Sequence, residues 1–128
     1  MVGRFIAIMS RAVAEPRADN PWSVAVRLPA WAMMKSYSRS RAFSKMTFNT
    51  LLPGLFDTDR FREVCVALAM LEGITVDEAR EKFLAAIRAG RLGKPEELGA
   101  LAALIASDNG GYINGQRITI DGGSSAAI

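Results

Sequence analysis

The sequence predicts an α/β layer structure in which short parallel strands are covered by helices. Three observations carry this expectation. Phe5 to Met9 (FIAIM) is apolar without alternation, the pattern of a central strand sandwiched between helical layers. Short strand-like runs then alternate with longer helical patterns along the chain, and such alternation favours parallel strands joined by right-handed crossovers. Helix-start signals stand where the alternation requires them, most clearly "TVDE" at Thr75 to Glu78, a capping box.

The elements follow in order. Arg11 to Pro21 is polar and interrupted by Pro16 and Pro21, so it reads as loop with a turn of helix. Trp22 to Tyr37 is too long for a strand and reads as a helix, with Pro29 inside it. A proline there removes a hydrogen bond and should kink or interrupt the helix. Ser38 to Ser44 is a basic, serine-rich connector. Met46 to Leu52 reads as the second strand, stopped by Pro53-Gly54. Proline withholds a ladder hydrogen bond there, and glycine permits a turn or the close approach of a ligand. Arg60 to Leu71 reads as a helix, with Asp57 or Asp59 as its cap. The capping box should start a helix running to about Ala89 and stopping at Gly90. Pro95 suits the first position of the next helix, with Glu96 and Glu97 in its first turn. Leu98, Leu101, Ala102 and Ile105 mark its buried face. Arg117 to Asp121 (RITID) reads as the third strand, followed by Gly122-Gly123.

Composition narrows the function. The 128 residues suit one domain, 1–128, with no linker or repeat to divide it. Half the residues are apolar and 23% are charged, a globular balance rather than a disordered one. The net charge is +3. The basic residues between Arg27 and Lys45 accompany no nucleic-acid motif, so they read as a solvated face and no nucleic-acid partner is expected. Cys65 is the only cysteine and there is no histidine. An intrachain disulfide is therefore impossible, and zinc hydrolysis and Ser-His-Asp chemistry are disfavoured. Cys65 reads as a helix core residue, and no metal site is expected. The start, MVGRFIAIMSRAVAEP, imitates a signal peptide, but its apolar run is shorter than the ~7–15 residues of an h-region. No run approaches the ~20 apolar residues of a membrane span. A cytoplasmic protein without a membrane partner is expected.

Several segments resemble one family, the short-chain dehydrogenases/reductases. GRFIAIMS is similar to that family's fifth strand, which ends at the active-site serine, here Ser10. MTFNTLLPGLFDT resembles its sixth strand, the Pro-Gly turn and a cofactor-contacting threonine. GRLGKPEELGALAALIASDNGGYINGQRITIDGG resembles its C-terminal end, from the last long helix to the seventh strand. The resemblance implies the C-terminal half of a Rossmann-like doubly wound parallel sheet: about three parallel strands with flanking helices. It implies an NAD(P)-dependent oxidoreductase that interconverts carbonyls and alcohols, with NAD or NADP as cofactor and a small carbonyl or alcohol as substrate. The backbone at Pro53, Gly54 and Leu55 would face the nicotinamide carboxamide. Thr58 would bond the carboxamide or the phosphates, and Phe56 to Thr75 would form the substrate pocket.

The sequence also departs from the family pattern. It holds no Gly-rich first turn, which in dinucleotide folds binds the pyrophosphate. The family's active-site asparagine belongs to the half with no counterpart here. The family places Tyr-x-x-x-Lys thirteen residues after its serine, and counting from Ser10 reaches SVAVR, so Ser23 stands for the tyrosine and Arg27 for the lysine. A serine hydroxyl is far less acidic than a tyrosine whose pKa a nearby cation lowers, and arginine keeps its charge without relaying a proton. Tyr37 has no lysine four residues on and the wrong spacing from Ser10. Ser10 reads equally as a turn cap, and Arg27 as an anion ligand or a snorkelling surface residue. Trp31, Met33 and Met34 read as core or interface. Two roles therefore stand side by side. One is a truncated oxidoreductase, weakly active or inactive alone. The other is a non-catalytic interaction module or half-subunit that forms a homo-oligomer or takes an N-terminal partner to cover an open sheet edge.

Overall fold

The computed structural model describes residues 3–16, 18 and 21–126. The chain runs β1 (Gly3–Ile8), α1 (Pro21–Ala25), α2 (Leu28–Ser38), β2 (Met46–Pro53), α3 (Asp59–Glu72), α4 (Val76–Ala85), α5 (Pro95–Ala106) and β3 (Arg117–Ile120), with short 3-10 turns at Arg11–Val13, Arg41–Phe43 and Asp108–Gly110. The strands form one sheet in the order β1-β2-β3, and both pairs are parallel, as the apolar patterning predicts. Phe5 stands opposite Phe48, and Leu51 opposite Ile118.

Thr47 through Leu52 are all buried, because β2 is the middle strand and both its faces are covered. On one face α2 packs down: Met34 is buried against Thr50, and the Tyr37 ring lies 5.7 Å from the Phe48 ring. On the other, α5 packs against β1, where Arg4 is in register with Thr47. Helices thus cover the two faces, completing the layered architecture. A second core lies beneath α3 and α4, where Phe61, Cys65, Ala69, Ala79, Ile87 and Leu92 are buried together.

Three local expectations change. The stretch from Trp22 to Tyr37 is two helices, and Pro29 stands in the first turn of α2 rather than in mid-helix. The proline is tolerated there because the first N–H groups of a helix have no intrahelical partner. The helix opened by the Thr75/Glu78 capping box ends at Ala85, four residues short of Ala89. Its backbone leaves the helical path because the Ala89 N–H donates to Gly122 O at 3.0 Å, across to the end of β3. Finally, the cap of α3 is neither Asp57 nor Asp59. Thr58 Oγ1 accepts from Phe61 N at 3.4 Å, while Asp59 sits in the first turn, where its charge favours the helix dipole.

Candidate cleft at the C-terminal edge of the sheet

All three strands end at the same edge, which is where open parallel sheets hold ligands. After β1, the Met9 N–H still bonds Leu51 O at 2.9 Å, and Ser10 follows in extended conformation. Its Oγ accepts from Ala12 N at 3.3 Å, so Ser10 does cap the next turn. After β2, the Gly54 N–H bonds Ile120 O at 2.9 Å. The close approach that Gly54 permits is of the chain itself: a Cβ there would stand 2.5 Å from Asp121 Cβ and 2.8 Å from Asp121 Cα.

A cleft of about 730 Å³ opens at this edge. Its floor brings together Ser10, Ser23, Pro53, Gly54 and Leu55, residues from three separate parts of the chain. Its far wall is one face of α3, with Val64, Ala67, Leu68 and Leu71 at helical spacing. Phe83 and Lys82 of α4 close it, and Arg11 and Glu15 stand at the near rim.

Arg27 is outside this lining, yet it acts on a residue within it. Its Nη1 donates at 2.8 Å to Ser23 Oγ and at 2.8 Å to Ser23 O, one helical turn back. The Ser-x-x-x-Arg pair thus forms a direct contact, with the guanidinium fixing the hydroxyl oxygen as acceptor. Thr58 is exposed above α3 and does not line the cleft. Its Oγ1 has two long contacts of 3.4 Å, to Phe61 N and to Phe56 O. Tyr37 packs with Phe43 and Phe48 near the start of β2, roughly 16 Å along the strand from Pro53 at ~3.3 Å per residue, and so stands apart from the cleft. Cys65 is 2% exposed, and burial pushes its thiol pKa up, the opposite of an activated nucleophile.

Some residues in or beside the cleft carry no functional signal in the sequence. Glu72 and Lys82 form an ion pair across the α3–α4 hairpin, a contact that spacing within one helix does not reveal. Gly93 belongs to what reads as a plain helix stop and loop. In the structure its N–H donates to Leu55 O at 3.0 Å and its carbonyl accepts from Asp57 N at 2.8 Å, bracing the rim after β2. Arg91, two residues earlier, makes two bonds of 2.7 and 2.9 Å to the Glu97 carboxylate.

A three-strand parallel sheet flanked by helices, with a cleft at its carboxyl edge, is the layered arrangement of Rossmann-like α/β folds. A family model described as "Enoyl-(Acyl carrier protein) reductase" matches residues 3–125. The NADPH-dependent reductase BacG of Bacillus subtilis is 33% identical over 126 residues, 98% of this chain and 49% of that protein. The 3-oxoacyl-(acyl-carrier-protein) reductase FabG of Salmonella typhimurium is 31% identical over 121 residues, 94% of this chain and 45% of that protein. The crystal structure of YwfH, an NADPH dependent reductase involved in bacilysin biosynthesis, superposes with a TM-score of 0.88 at 32% identity, over 98% of this chain and 48% of that one. A short chain dehydrogenase family protein from Francisella tularensis superposes at 0.85 with 27% identity, over 96% of this chain and 51% of that one. The chain belongs to the short-chain dehydrogenase/reductase family, and it spans about half the length of the relatives it matches.

Proposed function

We propose that this chain forms the substrate side of an NAD(P)-dependent carbonyl reductase and works with a Gly-rich half-fold that holds the cofactor phosphates. The observation that carries this is the convergence of Ser10, Ser23 and the Pro53–Leu55 rim on one cleft at the carboxyl edge of the sheet. The rim fits the nicotinamide end: backbone groups of Gly54 and Leu55 border open space on the cleft side, while Asp121 fills the other side of Gly54. Thr58 supports the same end through an exposed hydroxyl held only by long contacts. The sequence holds no Gly-rich turn to cradle phosphates, so in this reading the affinity for the whole dinucleotide comes from the partner half-fold.

When bound, the reduced nicotinamide supplies the hydride that reduces a carbonyl. This chain's contribution is orientation and polarity. The Ser10 hydroxyl donates to the substrate oxygen. Arg27 orients Ser23 and adds a positive field close to the developing negative charge. Ser23 serves as a hydrogen-bond partner rather than a proton source, since nothing lowers a serine pKa far enough to act like tyrosine. The lone buried Cys65 suits a reducing, cytoplasmic compartment.

NADPH fluorescence titrations test this reading. The purified chain is titrated alone and after mixing with the N-terminal half of the Bacillus subtilis relative. Saturable binding in the mixture, and carbonyl-dependent NADPH loss that Ser10→Ala weakens, are the expected results. No saturable binding in the mixture up to millimolar NADPH overturns it.

One observation favours a second reading, an assembly module without catalysis. Among the described residues β1 pairs only with β2, and Phe5 and Ile8 on this edge strand are 50% and 59% exposed. Open apolar strand edges recruit further strands. A monomer by light scattering across a hundredfold concentration range would remove this reading.

A further inference from the structure

We propose that the cleft selects an uncharged carbonyl compound with an apolar body and rejects one bearing a free carboxylate or phosphate. The inference rests on the cleft being the substrate site and adds the class of substrate. Its first support is the wall. Val64, Ala67, Leu68 and Leu71 present four apolar side chains on one helical face. Leu71 is 85% exposed at the cleft and caps no core cluster. An apolar ligand laid along this face would cover surface that now meets water.

The second support is the charge arrangement. Among the described residues the lining holds two cations, Arg11 and Lys82, and each has an acid beside it. Arg11 Nη1 is 3.6 Å from Glu15 Oε2, and Lys82 pairs with Glu72. Glu15 is further fixed by accepting from Ala126 N at 3.4 Å. Both acids themselves line the cleft. A bound anion would therefore meet two neutralised pairs on the lining. A further cation, Arg27, lies outside that lining with its Nη1 turned to Ser23 Oγ and O, and so acts on a carbonyl through that serine rather than by pairing with an anion. On the floor stand the Ser10 and Ser23 hydroxyls, which accept from Ala12 N and from Arg27 Nη1 and carry no charge of their own, a polarity that matches a neutral carbonyl oxygen. The volume, about 730 Å³, lies within the range of pockets that hold drug-sized ligands.

The test uses two probes with one carbon skeleton, ethyl 3-oxooctanoate and 3-oxooctanoate, in amide-detected NMR titrations of the full chain. The ester is expected to shift the amides of Ala67, Leu68 and Leu71 and to bind at least about tenfold more tightly than the acid. Leu71→Lys, at an exposed position that leaves the fold intact, should weaken the ester about tenfold or more. Glu72→Gln, which releases Lys82, should strengthen the acid severalfold and leave the ester unchanged. An acid that binds the same amides as tightly as the ester overturns the substrate class while leaving the cleft as the site. Probes that shift no cleft amide overturn the site itself and this inference with it.

Discussion

Replacing Gly54 with alanine should separate the ends of β2 and β3. The added Cβ would meet Asp121 Cβ at 2.5 Å and Cα at 2.8 Å, where ordinary contact begins at 3.4 Å. The obstacle is mostly backbone and cannot rotate away. Asp121 is also held in place, because its Oδ1 accepts from Gly123 N at 3.0 Å and the preceding carbonyl, Ile120 O, accepts from Gly54 N at 2.9 Å. The two segments must move apart by roughly 1 Å, an overpacking that costs about 1–3 kcal/mol. Losing the Gly54–Ile120 bond adds about 1 kcal/mol, and the stiffer unfolded chain of alanine returns about 0.4–1 kcal/mol. The net expectation is a loss of about 1–3 kcal/mol. Urea unfolding followed by the fluorescence of Trp22 and Trp31 would read this as a midpoint lower by about 1 M, given a slope of ~1–3 kcal/mol per molar. Gly99→Ala is the control: nothing lies within 4 Å of that position in mid-α5, so it should gain about 0.5–1 kcal/mol. A Gly54→Ala midpoint equal to that of the unmodified chain would refute the steric reasoning.

Three further outcomes are expected. Thr75→Ala removes both the Oγ1 that accepts from Glu78 N at 3.2 Å and its partner role in the capping box, and chemical denaturation should show a loss of about 1 kcal/mol. Ile105→Ala hollows a position with 0% exposure beneath α5, and should cost about 2–5 kcal/mol by the same measurement. The bonds from Arg91 and from Lys94 N hold the Glu97 pKa down to about 2, from an ordinary 4.5. A carboxylate depressed in the folded state stabilises fully above its unfolded pKa and loses that contribution as the pH falls through the folded one. Arg91→Gln should therefore flatten the acid side of the stability profile between about pH 4.5 and 2, as read by thermal melts across that range, and leave its shape near neutrality unchanged.

Much of the architecture was legible because the chain states it in local terms. The apolar run at Phe5 to Met9 announces a parallel strand, but its expected central place is corrected: β1 is the edge of this sheet and leaves Phe5 and Ile8 half exposed. β2 is the buried middle strand, and the Thr75/Glu78 pair marks its helix start to the residue. Pro29 was visible but its consequence was misplaced: a proline breaks a helix or opens one, and only the N-cap position of Arg27 decides which. The end of α4 was hidden because its cause is distant, the bond from Ala89 to Gly122. The floor of the cleft was approachable through Ser10 and Pro53 to Leu55, which follow recognisable strands, whereas Ser23 was reachable only by the family spacing counted from Ser10. The charge balance at its rim was not. Glu72 and Lys82 meet across a hairpin, and no period within either helix reports such a pairing. The role of Gly93 was hidden for the same reason, as its partners Leu55 and Asp57 lie almost forty positions earlier.

The fastening of β2 to the turn before β3 has a consequence for how the chain reaches this state. Asn49 Nδ2 donates to Ile113 O across 64 positions, Phe48 N donates to Asn114 Oδ1 across 66, and Gln116 N donates to Asn49 Oδ1 across 67. Until residues 113–120 leave the ribosome, the middle strand has a naked flank and a polar amide without its mates. Closing so long a loop is slow compared with forming any of the helices. The nascent chain therefore passes through an interval in which its most deeply buried strand is also its least protected, and shielding by chaperones matters most until residues 113–120 have emerged.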